Sequence, residues 1–393
     1  MPDADPLAAY AADFGPFDGR AWLNAAHQGP LPRVAVEAGR RALAEKSAPH
    51  RISDEAFLDV PRRLRRAIAR LIGATPDDVV LGDSASYGLA LLARGIPWRA
   101  GDEVLFVRGE FPASVFPWRV LERRGVALRF LGARAGNAPD ADEVAAHITS
   151  RTRVFCTSWV NSFTGHATDV DAIARVCRAA GVIFVLNASQ GLGARVLDVS
   201  ASEVDALVCC GYKWLLGPYG TGFCWLRPTL REQLEPPHAY WLPNVWGRGD
   251  DMATYTMRDD LGARAFDIFD TANFLNFVPW TAALEYLLAA GPATVAGHDD
   301  ALVQRLVGSI AREHYELVSP ERGPSRSSLV VIRPVHGAGA AAIHAALSAA
   351  GVDAAVRQGA IRFAPHLYNT AADIDRAVDV LRRLASGGGA ARE

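Results

Sequence analysis

The 393-residue chain predicts an α/β fold: a large, mainly parallel sheet followed by a smaller C-terminal α+β domain. Two patterns carry this. Mostly apolar runs such as Val104–Val107, Val154–Val160 and Val182–Leu186 alternate with helical stretches, as repeated βαβ units require. From about Leu284 the order changes to helix, strand, helix, strand and a closing helix. At this length two domains are expected, with room for a large core. The expected division is an N-terminal segment 1–21, a large domain 22–283, a small domain 284–385 and a disordered tail 386–393.

In chain order, Val34–Lys46 and Pro61–Ile72 have helical patterns. Val79–Leu81 is a short strand feeding Gly82-Asp83-Ser84-Ala85-Ser86-Tyr87-Gly88, which opens an Ala/Leu-rich helix from Leu89. Small residues at such a turn let backbone N–H groups and the helix dipole meet a phosphate. The strand to Val107 leads into Glu110-Phe111-Pro112, and Trp118 follows. The strand to Val160 ends at Asn161-Ser162-Phe163-Thr164-Gly165, at the carboxyl edge where α/β sheets bind ligands. Helix Asp169–Ala180 returns to strand Val182–Leu186, which ends in Asn187-Ala188-Ser189-Gln190. Residues 236–263 form a long irregular stretch with Tyr240, Trp241, Trp246, Arg248 and Tyr255. Loops of that length usually serve function, here as a substrate-side wall, although such aromatics also pack loops. The C-terminal part predicts helix Pro292–His314, strand Ser328–Arg333, helix Ala338–Ala350, strand Ala354–Phe363 and a helix from Ala371 to about Ala385.

One stretch organises the chemistry: Val208-Cys209-Cys210-Gly211-Tyr212-Lys213-Trp214, then Gly217-Pro218-Tyr219-Gly220-Thr221-Gly222. It reads as a strand end, a tight turn and a second strand from Phe223. Lys213 is one of two lysines, with Lys46; the other 39 of the 41 basic residues are arginines. Arginine cannot supply a neutral amine, and burial lowers a lysine pKa enough to free one for a Schiff base. A snorkelling lysine at a helix end is the competing explanation.

The net charge of −2 gives no reason to expect nucleic acid or a membrane surface. No apolar run reaches the ~18 residues of a membrane span, and the first residues lack a signal peptide's basic region. Five cysteines, an odd number in mostly strand-like runs, fit reduced thiols of a cytoplasmic protein and neither a disulfide set nor a zinc site.

As a set, these segments resemble class V, fold type I pyridoxal-phosphate (PLP) enzymes, including isopenicillin N epimerase-like and cysteine desulfurase-like members. The resemblance runs, with gaps, from about Trp22 to Leu381. It implies a large domain with a mainly parallel seven-stranded sheet. Lys213 then carries PLP, and Cys210 and Tyr212 replace the family's usual Ser and His. Ala85 and Ser86 fall on the phosphate-cradling pair. Phe111 stands where the family stacks a His on the pyridine ring; it can stack but not shuttle a proton, and a plain core role stays open. Ser162 faces the cofactor's phenolic oxygen, with Asn161 as rival, and Gln190 reaches the same oxygen. Asn187 replaces the Asp that faces the pyridine nitrogen. Phe266-Asp267-Ile268-Phe269-Asp270-Thr271-Ala272-Asn273 resembles the segment whose Thr reaches the neighbouring subunit's phosphate, so Thr271 implies a homodimer. Trp22–Pro30, with Asn24 and His27, runs along the substrate pocket. Arg362 binds the substrate carboxylate, with Arg357 as the other candidate; an arginine fork suits a carboxylate.

The resemblance implies an α-amino acid as substrate. A carboxylate at the ring nitrogen keeps PLP a strong electron sink, and a neutral Asn187 weakens it. That disfavours reversible transamination and suits a short-lived carbanion. β-Elimination from a cysteine conjugate, as in a C–S lyase, is therefore the first expectation. An aminotransferase, an epimerase and a decarboxylating oxidative deaminase are the alternatives. A desulfurase needs a late cysteine as persulfide acceptor, and none follows Cys224. A non-catalytic PLP-binding regulator would usually add a DNA-binding segment, and no basic helix-turn-helix stretch precedes Trp22.

Overall fold

The computed structural model describes residues 8–132, 138–245 and 256–387. Thirteen strands are β1 (Ala21–Trp22), β2 (Val79–Gly82), β3 (Glu103–Val107), β4 (Ala127–Leu131), β5 (Thr152–Ser158), β6 (Ile183–Asn187), β7 (Ala206–Cys210), β8 (Gly222–Leu226), β9 (Tyr315–Leu317), β10 (Val330–Pro334), β11 (Val352–Asp353), β12 (Ala355–Arg357) and β13 (Ala360–Phe363). Seven of them form the main sheet in the order β2-β8-β7-β6-β5-β3-β4. Only β8 runs against the others, pairing antiparallel with both β2 and β7. The strands read as near-continuous apolar runs because helices cover both faces of the sheet. Phe155, Phe184, Leu186 and Phe223 serve one core; Val104, Phe106, Val154 and Cys156 serve the other.

Local chemistry starts and stops the helices. Ser84 accepts the Tyr87 N–H and begins helix Ala85–Gly95, four residues before the Leu89 start expected from the sequence. Helix Ala56–Ile72 stops at Gly73, whose φ of 68° is a left-handed cap. Gly88 lets its helix lie on the sheet: a Cβ there would sit 2.7 Å from Val208 Cγ1.

A four-stranded antiparallel sheet, β12-β13-β10-β9, carries the third core with helices Pro292–Gly308, Ala340–Ala349 and Ala371–Gly387. Three expectations meet the structure here. The tail expected to be disordered from 386 is helical to Gly387, and 388–393 lie outside the described residues. The helix expected to reach His314 ends at Gly308, and β9 follows. The strand expected over Ala354–Phe363 is a hairpin, turning at Gln358 (φ 49°) and Gly359 (φ 75°). Positive φ at both turn residues matches the twist of the flanking strands. β1 pairs with β11, so Ala21 and Leu23 join this C-terminal core.

Candidate active site

The carboxyl ends of β5, β6 and β7 and the turn after β2 meet at one edge of the sheet. They line a pocket with a cavity volume of about 70 Å³. Nine of the anticipated residues line it: Ala85, Ser86, Phe111, Ser162, Asn187, Gln190, Cys210, Tyr212 and Lys213. Ser84, Ala113, Ser158 and Ser189 complete the lining. The lining contains one cation, Lys213, and no carboxylate.

Lys213 Nζ sits 5.7 Å from the ring centroids of both Phe111 and Tyr212. Among the described residues it has no hydrogen bond or ion pair. Its backbone, by contrast, is held. Gly29 donates its N–H to Tyr212 O at 2.9 Å, and Leu216 donates to Lys213 O at 3.1 Å. A Cβ at Gly29 would fall 2.0 Å from Lys213 O, so only glycine allows this crossing.

Asn187, at the end of β6, is 5 % exposed. Its Oδ1 accepts the Ser189 N–H at 3.1 Å, and its Nδ2 donates to Ser114 Oγ at 2.9 Å. Because a backbone N–H can only donate, the amide orientation is set. Gln190 is engaged at both ends: Nε2 donates to Ala26 O at 3.0 Å, and Oε1 accepts from Trp214 Nε1 at 2.9 Å. Ser189 Oγ accepts the Cys210 N–H at 3.2 Å, tying β7 to the turn after β6. Glu110, just outside the lining, accepts from the Phe111 and Ser158 N–H groups at 2.7 Å and from the Thr157 and Ser158 hydroxyls. It locks the start of helix Pro112–Arg119 to the end of β5. Phe111 stacks loosely on Phe163, with centroids 6.2 Å apart.

The remaining anticipated residues lie around this cavity or away from it. Arg362 is 3 % exposed on β13 and donates from Nη1 to Ser162 O at 3.1 Å; its buried Nε has no acceptor. Burial, then the nearby Arg357, pulls its guanidinium down to about 10. His27 is held below the ordinary histidine range by burial and by Arg357, Arg362 and Lys213. Asn24 is buried and its Oδ1 has no donor. Thr271 does not reach the cavity; it lines a separate pocket with Arg65 and Asp267. Tyr240 and Trp241 line a third, apolar cleft beside Asn273 and Phe274. Trp246, Arg248 and Tyr255 lie outside the described residues.

Sequence reasoning missed Ser114, Ser189, Trp214 and His366. Ser189 and Trp214 are neighbours of residues already singled out. Ser114 is 73 positions from Asn187, and His366 is 152 from Trp214, so no local pattern marks them.

The residues present fit PLP. Ser84 takes the Tyr87 N–H, so the Ala85 and Ser86 N–H groups, which have no partner within the helix, remain for a phosphate. Gly222 makes room for that turn: a Cβ there would lie 2.5 Å from the Ser84 carbonyl carbon. An unengaged amine, a flat aromatic wall and buried amides complete the set.

Comparison with known proteins agrees. A model of the aminotransferase class-V family matches residues 30–377. The chain is 28 % identical over 376 residues to isopenicillin N epimerase of Streptomyces clavuligerus, covering 92 % of this chain and 94 % of that protein. It is 27 % identical over 296 residues to a probable cysteine desulfurase of Methanothermobacter thermautotrophicus, covering 74 % and 72 %. Among solved structures, a cystine C–S lyase in complex with its product cysteine persulfide aligns with a TM-score of 0.84 and 23 % identity, over 93 % of this chain and 97 % of that one. The cysteine desulfurase CsdA of Escherichia coli aligns at 0.83 and 20 %, over 98 % and 99 %. With its fold, its lysine cavity and a family match spanning most of its length, the chain belongs to the class V aminotransferases and is a PLP-dependent enzyme with the fold type I architecture.

Proposed function

We propose that this enzyme deprotonates Cα of an α-amino acid and eliminates the β-substituent, as a C–S lyase does with a cysteine conjugate. Asn187 is the observation that carries this. A neutral amide, spanned by Ser114 and Ser189, stands where the family resemblance places an acid. PLP supplies the electron sink for charge developing at Cα. Without a carboxylate beside it that sink is shallower, which favours immediate loss of a leaving group over a long-lived carbanion.

The chain's own residues divide the remaining work. Lys213 Nζ, unbonded and beside Phe111, moves the Cα proton. Arg362 holds the carboxylate with the edge that Ser162 leaves free. The Ala85 and Ser86 N–H groups hold the phosphate, and Phe111 screens one face from water. Thr271, buried but remote from its own chain's cavity, is offered to a second subunit, so the working unit is a homodimer. Five buried free thiols suit a reducing cytoplasm.

Epimerisation is the second reading, supported by the 92 % coverage in the match to isopenicillin N epimerase. Aminotransfer and decarboxylating oxidative deamination follow. Purified holoenzyme mixed with candidate amino acids separates them. Ammonia with a keto acid and a thiol supports elimination. Pyridoxamine phosphate would refute it in favour of aminotransfer, and Cα deuterium exchange with inversion and no cleavage would refute it in favour of epimerisation.

A further inference from the structure

We propose that His366 and Asp299 form a buried positioning pair that fixes the main chain on the C-terminal side of Lys213. This rests on Lys213 being the working amine. Both side chains are wholly buried, at 0 % exposure. His366 Nδ1 lies 2.8 Å from Asp299 Oδ2, and Nε2 lies 3.1 Å from Trp214 O. A carbonyl can only accept, so Nε2 carries a proton and donates to Trp214. Asp299, on helix Pro292–Gly308, orients the ring from its other side through a charge-assisted bond. The His366 ring also stands edge-on to the Trp214 indole, with centroids 5.2 Å apart and planes at 77°.

Trp214 therefore has its carbonyl held by His366 and its indole N–H held by Gln190 in the cavity wall. Gly193 closes the space around the same carbonyl; a Cβ there would be 2.4 Å from it. With Gly29 on Tyr212 O and Leu216 on Lys213 O, three consecutive carbonyls are engaged around the lysine. Of these bonds, the one from His366 comes from a side chain, and Asp299 ties that side chain to helix Pro292–Gly308. The amine at the tip stays free. The result is a fixed backbone beneath a side chain that only its own torsions need move. Misplacement by about 1 Å at a reacting group costs on the order of a hundredfold in rate, so such bracing matters for chemistry as well as for folding.

The test uses full-length protein with PLP: wild type, His366→Ala, His366→Gln and Asp299→Asn. Amide hydrogen exchange reads the segment 211–217, and borohydride trapping followed by mass spectrometry reads attachment at Lys213. In His366→Ala, exchange in 211–217 rises roughly tenfold while β5 and β6 keep their wild-type protection. Trapping at Lys213 falls by about tenfold at equal bound cofactor. His366→Gln, which can still donate to Trp214 O, regains most of both, and Asp299→Asn falls between; these two also serve if the alanine variant does not fold. Wild-type exchange and trapping in every variant overturns the proposal. So does loosening spread evenly over the C-terminal core with trapping unchanged, which is a structural role alone. Failure of the underlying reading looks different: wild type itself would show no label at Lys213, while the exchange measurement would still report on the brace.

Discussion

Asp267→Asn tests how the segment carrying Thr271 is anchored. Asp267 and Arg65 are 4 % and 6 % exposed in their side chains and meet at 2.6 Å, with a second contact at 3.2 Å. Asp267 Oδ1 also accepts the Leu81 N–H at 2.9 Å, and Arg65 donates to Val79 O. The pair thus joins helix Ala56–Ile72, β2 and the 267–271 segment. An asparagine keeps the Leu81 bond but turns an N–H₂ group toward one guanidinium nitrogen. It leaves the Arg65 charge buried without a counter-charge. Breaking such a pair costs about 3–5 kcal/mol, against a typical total of roughly 5–15 kcal/mol. Urea denaturation of the holoenzyme, followed by circular dichroism and bound-cofactor absorbance, measures it. The expected result is a loss in that range, with the midpoint lowered in both signals. Adding Arg65→Met to Asp267→Asn should recover most of it, since the asparagine keeps the Leu81 bond and no charge is left stranded. A loss under about 1 kcal/mol for Asp267→Asn would refute the reasoning, because that is the worth of a surface pair.

Lys213→Ala should abolish borohydride-trapped cofactor and slow Cα proton exchange by roughly 10²–10⁴-fold; undiminished trapping, located elsewhere by peptide mapping, would remove Lys213 from its role. Gly222→Ala puts a Cβ against the Ser84 backbone and should cost about 1–3 kcal/mol of overpacking. Its signature is weaker binding of PLP with binding of unphosphorylated pyridoxal unchanged; equal losses for both would mean the turn does not serve the phosphate. For His27, burial and then Arg357, Arg362 and Lys213 hold the imidazole below its ordinary range. The folded pKa is depressed, so the unfolded chain takes the proton first as pH falls, and the contribution to stability is lost on descending through the ordinary histidine range. Arg357→Ala removes one of the opposing charges, and the His27 titration followed by NMR should move up; an unmoved midpoint would show that the charges do not face it.

The sheet was legible in the sequence because its strands are buried on both faces and therefore print as unbroken apolar runs between helices. Even the antiparallel β8 was placed, from the glycine-rich turn after Lys213. The hairpin at Gln358-Gly359 was not, since glutamine is no turn signal and the flanking residues read as one continuous strand. Nine residues of the cavity lining were singled out from the sequence; Ser84, Ala113, Ser158 and Ser189 were not. The bonding of the lining was not legible. Ser114 reaches Asn187 from another βα unit, and Asp299 reaches His366 across 67 positions. A one-dimensional pattern carries periodicity and short spacings; it does not carry which buried donor meets which acceptor.

Two departures from the pattern that the family resemblance implies point in one direction. Phe111 falls where the resemblance expects a histidine, and Asn187 where it expects an aspartate. Each would take a titrating group out of the cavity wall. A site merely losing its function would be expected to lose its costly features first. The costly features are kept instead. Lys213 remains unbonded against two aromatic rings. Arg362 remains buried with its Nε unsatisfied and with Arg357 nearby, an arrangement that an anionic ligand relieves. Glycines at 29, 193 and 222 remain where any side chain would strike backbone. A buried guanidinium with an unsatisfied Nε beside a lining without carboxylates is an arrangement that an anionic ligand relieves, and it supports the proposal that Lys213 carries the proton chemistry there.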